Sequence, residues 1–164
     1  MNTDEFWTLI DRAHASAGSN REARVSALRD ELRHLSPAEL QQFQNHYDVH
    51  LKQANRWDVW AAAEIMYSWV GASDDSFRYF RDWLISEGRT RFEATLANPD
   101  SLAELARTDM PELEAFGYVA LGLFKQKASS ELNRDFSTEG VEPTGMRWKR
   151  SDLPVLLPRL WAKY

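Results

Sequence analysis

Between Val59 and Ser73 the chain carries fifteen residues and a single charge, Glu64. A helix that is apolar nearly all round has no face to give to water, so it belongs in the middle of a fold. The surrounding stretch 56–89 holds four of the seven tryptophans, Trp57, Trp60, Trp69 and Trp83. Gly71, Ser73 and two aspartates divide it into two helices, which predicts a central buried helical hairpin with the other elements packed around it. Polar groups inside such a hairpin are costly to desolvate and need a partner or a role.

The flanking segments read as amphipathic helices. Phe6, Trp7, Ile10 and Ala13 recur at helical spacing behind Thr3, a candidate cap, and Gly18 closes that helix. Ser19 and Glu22 have capping-box spacing ahead of the Val25, Leu28, Leu32, Leu35 stripe. Ser36, Pro37 and Glu39 repeat the device, with proline at the first helical position, where its missing N–H costs nothing. The central helix is expected over 56–70, and the next runs from a Ser73 cap to Gly88. One further helix is expected over 112–130. The segment from Arg134 to Lys149 reads as a loop, and Pro154 and Pro158 leave the C-terminal residues only short turns. No convincing strand alternation or repeat is present. The fold class is all-α: a single compact, bundle-like domain over 1–133, with an irregular, proline-containing tail over 134–164 packed on it.

The motif W-x-x-W-A-A begins at Trp57. It is followed by S-D-D-x-F-x-x-F-R-x-W-L-I-x-x-G-R over 73–89 and F-E-x-x-L-x-x-P-D-S-L-A over 92–103. With Phe6-Trp7 and Ile10, these residues resemble an uncharacterised bacterial family, domain of unknown function 4240, over roughly residues 1–105. The resemblance implies a small bacterial helical domain and supplies no activity. A small or thiol residue precedes the Ser-Asp-Asp triplet in some relatives; Ala72 stands here, which argues against thiol chemistry.

Charge and composition narrow the function classes. A formal net charge of −5 argues against a general nucleic-acid binder. Residues 141–164 hold five basic against two acidic side chains, while the rest holds 15 against 23. Such a tail is expected to fold back on the acidic body. No apolar run reaches the roughly 18 residues of a membrane span, and the acidic N-terminus lacks the basic start of a signal peptide. With no cysteine, the expected setting is a reducing cytoplasm. No cofactor motif is present and no metal site is expected. A phosphate loop and a Gly-x-Ser-x-Gly elbow are both missing.

Five charged residues and one tryptophan are the candidate site. Glu64 must pair, accept several hydrogen bonds or take up a proton, and Arg78, Arg81 and Arg56 are its nearest candidate partners. The leading expectation is a structural Glu–Arg pair that fixes the hairpin's register. Asp74 and Asp75 beside Ser73 suit helix capping and the helix dipole first, and paired-carboxylate chemistry second. Arg81 and Arg89 could clamp either aspartate or an anionic ligand. Trp60, with Trp57, Trp69 and Trp83, suits core packing or an aromatic cage. His46 and His50 stand four apart, but Tyr47 occupies the position where a metalloprotease helix carries its glutamate. They read as a pair on a wet helix face. Trp148 lies in the basic stretch Met146–Arg150, which is expected to dock on the acidic body. The sequence thus favours a non-catalytic, protein-binding or regulatory helical domain. The alternative is an enzyme or small-ligand protein with a charged pocket around Glu64, Asp74, Asp75, Arg81 and Arg89.

Overall fold

The computed structural model describes residues 1–137 and 140–164, and of Trp69 the backbone alone. The fold is all-α. Among the described residues there is no strand, only an isolated bridge between Arg56 and Thr144. The helices are α1 (Thr3–Ala17), α2 (Arg21–Leu32), α3 (Pro37–Gln53), α4 (Trp57–Met66), α5 (Asp74–Ser86), α6 (Arg89–Ala97), α7 (Glu114–Gly117), α8 (Val119–Ala128), α9 (Leu153–Leu156) and α10 (Pro158–Lys163). None is long and apolar enough to cross a membrane.

The apolar stripes meet in one core. Phe6, Trp7 and Ile10 of α1 are buried with Phe43 and Tyr47 of α3 and with Phe80, Trp83 and Leu84 of α5. Burying each side chain of this size contributes about 1.5–3 kcal/mol. α4, with Ala61, Ala62 and Ala63 all buried, is enclosed as its composition demands.

Two caps sit one residue away from their expected positions. Asn2, not Thr3, caps α1 in a reciprocal box with Glu5. Asn20, not Ser19, caps α2 by accepting the Ala23 N–H. In both places two capping residue types are adjacent, and asparagine serves at least as well as serine or threonine. Ser36 and Glu39 form the expected box at α3. Ser73 Oγ accepts the Ser76 N–H at α5, 3.2 Å away. Ser73→Ala is expected to cost about 1 kcal/mol through loss of this cap, read as a lowered urea midpoint.

Three boundaries differ from expectation for tertiary reasons. α4 stops at Met66, and a 3-10 turn over Ser68–Val70 leads into Gly71 at φ 75. A Cβ on Gly71 would lie 2.8 Å from Glu64 Oε1, so glycine serves both the turn and the close approach. The helix expected over 112–130 breaks at Tyr118 into α7 and α8. Gly117 presses there against Asp82; an added Cβ would meet Oδ1 at 2.7 Å. The tail is more regular than expected, because Pro154 and Pro158 lie in the first turns of α9 and α10, where proline is tolerated. Asp100 caps α10 from a distance, its carboxylate accepting the Leu160 N–H at 2.9 Å.

Ion pairs join the tail to the body at Arg134–Asp48, Arg150–Glu64 and Arg159–Glu104. The segment around Thr144 runs beside the start of α4. Thr144 N–H donates to Asn55 O, and Trp57 N–H donates to Thr144 O. This backbone pairing positions the candidate site.

Candidate functional site

Glu64 does not pair with Arg78, Arg81 or Arg56. Its Oε2 accepts the Ala72 N–H at 2.7 Å, and its Oε1 accepts Arg150 Nη1 at 3.1 Å, from the tail. Arg81 instead donates to Leu51 O and lies over the Phe77 ring. Arg56 forks onto Asp58 and donates to Leu96 O. Glu64 is aimed at the Gly71 turn rather than across the hairpin, which explains the change of partner. The Glu64 side chain is 12% exposed, but Arg150 is 56% exposed. Glu64→Ala therefore leaves no arginine stranded in a dry core. The expected loss is about 1–2 kcal/mol, mainly the charge-assisted bond to the turn, measurable by urea denaturation.

An open cleft of about 960 Å³ lies between the α4–α5 hairpin and the segment 140–148. Its floor is a stack. Trp57 lies on Trp60 at 5.2 Å between centroids, and Trp60 lies on Phe77 at 4.6 Å, with both pairs close to parallel. The stack follows from sequence: Trp57 and Trp60 share a face of α4, and Phe77 comes from the second turn of α5. Arg147 lies over Trp57 and Arg81 over Phe77, so each end carries a guanidinium. Trp60 Nε1 donates to Ala72 O, locking the floor to the turn. Trp148 Nε1 donates to Trp57 O at 2.7 Å and forms the far wall.

The first turn of α5 supplies the near wall. Asp74 and Asp75 are exposed there, with Arg78 one turn on. Four of the six candidate residues thus line one cleft: Trp60, Asp74, Asp75 and Arg81. The single charged pocket of the alternative reading, around all five charged residues, is not formed. Arg89 lies elsewhere, paired with Asp4 and Glu93, and its backbone N–H donates to Asp11. Glu64 opens on the other side of the 71–73 turn.

Trp83 is core, and the expectation on the Trp69 ring lies outside the described residues. His46 and His50 are not on a wet face: both rings stack on Phe6, and His50 is buried among Trp7 and Phe92. Burial holds the His50 pKa below its ordinary value. Among the described residues, no group of three or more histidines, aspartates or glutamates could hold a metal ion. Arg78 and Arg147 were not foreseen as lining residues. The basic, aromatic stretch around Trp148 was the only signal for Arg147.

The cleft offers carboxylates, guanidiniums and flat apolar surface together. Among its described lining residues there is neither histidine nor cysteine. The Ser73 hydroxyl is already committed to its cap.

A model for the family described as "Protein of unknown function (DUF4240)" matches residues 1–126, which extends the resemblance well past residue 105, into α8. No curated protein and no solved structure matches the chain.

Proposed function

Because the chain belongs to the DUF4240 family, whose description gives no activity, we propose from its geometry that it is a non-catalytic binding module. The cleft beside Trp60 holds a mixed-charge segment of a protein partner. The observation that carries this is the convergence of Trp60, Asp74, Asp75, Arg81 and Arg147 on one open cleft. Flat aromatic surface supplies contact area with little side-chain entropy to lose, and the charged rim sets register and orientation. Beside the cleft, one extended stretch of the chain's own backbone around Thr144 already pairs with Arg56, which supports a peptide-like occupant over a compact one. A bacterial cytoplasmic setting is part of the proposal.

A random-peptide library displayed on phage and panned against the full chain tests this reading. Peptides carrying both charge signs are expected to be enriched. Asp75→Lys and Arg147→Glu, both at exposed positions, should each weaken their binding about tenfold or more, with the chain still folded and its stability lowered by no more than about 1 kcal/mol for the lost helix-dipole or ring contact. Enrichment of no sequence, or peptides that bind both variants as well as wild type, would defeat the proposal.

A further inference from the structure

A second hollow, about 670 Å³, lies beneath α9 and α10, on the opposite side of the Gly71 turn from the aromatic cleft. Its walls depart from ordinary packing in two ways. Ser68 and Met110 both line it, and both hold positive φ, at 58° and 48°. Non-glycine residues adopt that conformation at a cost, and it persists where surrounding structure imposes it. Large apolar side chains are also left open to it: Val70, Met110 and Trp161 are 58%, 46% and 43% exposed. The volume lies within the range of pockets that enclose small organic molecules.

The charges at the rim indicate what such a molecule carries. Glu64 is the least exposed of them, its carboxylate fixed by the Ala72 N–H, which would remain if Arg150 left. Arg150, exposed and held by one charged contact, contributes little by its pairing and is free to swing into water. Arg107 lies over the Tyr164 ring at 5.0 Å, so one aromatic wall already receives a cation. The protein's own guanidiniums thus occupy the positions a ligand cation would take. With Arg150 displaced, the hollow presents a fixed carboxylate beside Trp161, Tyr67 and Met110.

We propose that this hollow binds a small organic cation with an aromatic or apolar body. The cationic group replaces Arg150 on Glu64, and the body lies against Trp161 and Met110. The site is independent of the cleft beside Trp60, shares neither Trp60 nor Asp75 with it, and survives if no peptide binds there.

Calorimetric titration of the full chain with tryptamine, and with indole-3-propionate as the same ring bearing a carboxylate, tests the proposal. Tryptamine is expected to bind and indole-3-propionate to fail. Arg150→Ala should tighten tryptamine binding several-fold, because an internal competitor is removed. Glu64→Gln, which keeps an oxygen for the Ala72 N–H, should weaken it about tenfold or more. No heat with tryptamine, equal binding of the carboxylate, or weaker binding by Arg150→Ala would each overturn the proposal. The last variant changes an exposed side chain and is not expected to disturb the fold.

Discussion

Replacing Asp82 with asparagine is expected to remove most of a stability loss that the wild type suffers as pH rises from acid to neutral. Asp82 lies on α5 beneath Gly117, 4% exposed, with its Oδ1 accepting the Tyr47 hydroxyl at 2.7 Å. Burial raises its pKa from an ordinary 3.8 to about 7. Tyr47 and the arginines at 78, 81 and 134 pull it down, and burial outweighs them. The unfolded carboxyl releases its proton near 3.8, while the folded one keeps it to about 7. Between those values the folded state binds more protons at this site, so this carboxyl's contribution to stability is fully present below pH 3.8 and is lost as pH rises through 7. The whole interval is worth about 4 kcal/mol at about 1.4 kcal/mol per tenfold. Asparagine preserves the shape and the acceptor for Tyr47 but has no charge to bury. Urea denaturation of both proteins at about pH 5 and about pH 8 isolates this residue, because the other titrations are common to both. The variant's stability relative to wild type should improve by about 3 kcal/mol between those conditions. A difference that does not change with pH would mean that Asp82 is ionised throughout.

The same residue shows why the fold was only partly legible. Helical periodicity placed Phe6, Trp7, Ile10, Leu28 and Leu32 correctly in the core, because burial along a helix face repeats locally. The break between α7 and α8 was not visible. Gly117 lies within the single helix expected over 112–130, and its close contact is with Asp82, 35 residues earlier. The prolines of the tail could be read as breakers or as first-turn residues. What decides between them at α10 is Asp100, which caps that helix from 59 and 60 residues away.

The candidate site divides along the same line. Trp60, Asp74, Asp75 and Arg81 were found together because one short turn joins their helices. Arg89 follows Gly88 at φ 87, where the chain turns away towards α1. Glu64 was rightly singled out as a polar group needing partners. Its arginine lies 86 residues downstream, and nothing near it in sequence points there. His46 and His50 failed for want of a neighbour: the face they share is covered by Phe6 of α1.

Asp48→Ala is expected to be the most destabilising single change in the far wall's support. Asp48 lies on α3, its side chain 2% exposed, and its carboxylate draws together two distant stretches of chain. Oδ1 accepts Gln44 Nε2 at 2.8 Å and Arg134 Nη2 at 2.9 Å, and Oδ2 accepts the Asp135 N–H at 2.9 Å. Arg134 is only 9% exposed, so this pair differs in kind from Arg150–Glu64. Removing the carboxylate leaves a guanidinium out of water without its anion and a backbone donor without an acceptor. Breaking a buried pair from one side costs about 3–5 kcal/mol. Arg134→Met alone should cost less, since Gln44 and Asp135 still bind the carboxylate. The double variant should recover part of the single Asp48→Ala loss, because no stranded charge remains. Urea denaturation of the three variants measures both the loss and the coupling. A cost below about 1 kcal/mol for Asp48→Ala would mean that water reaches Arg134 freely. Because the chain from Arg134 leads into the segment that walls the cleft, Asp48→Ala should also weaken any cleft-bound peptide, although Asp48 does not line the cleft.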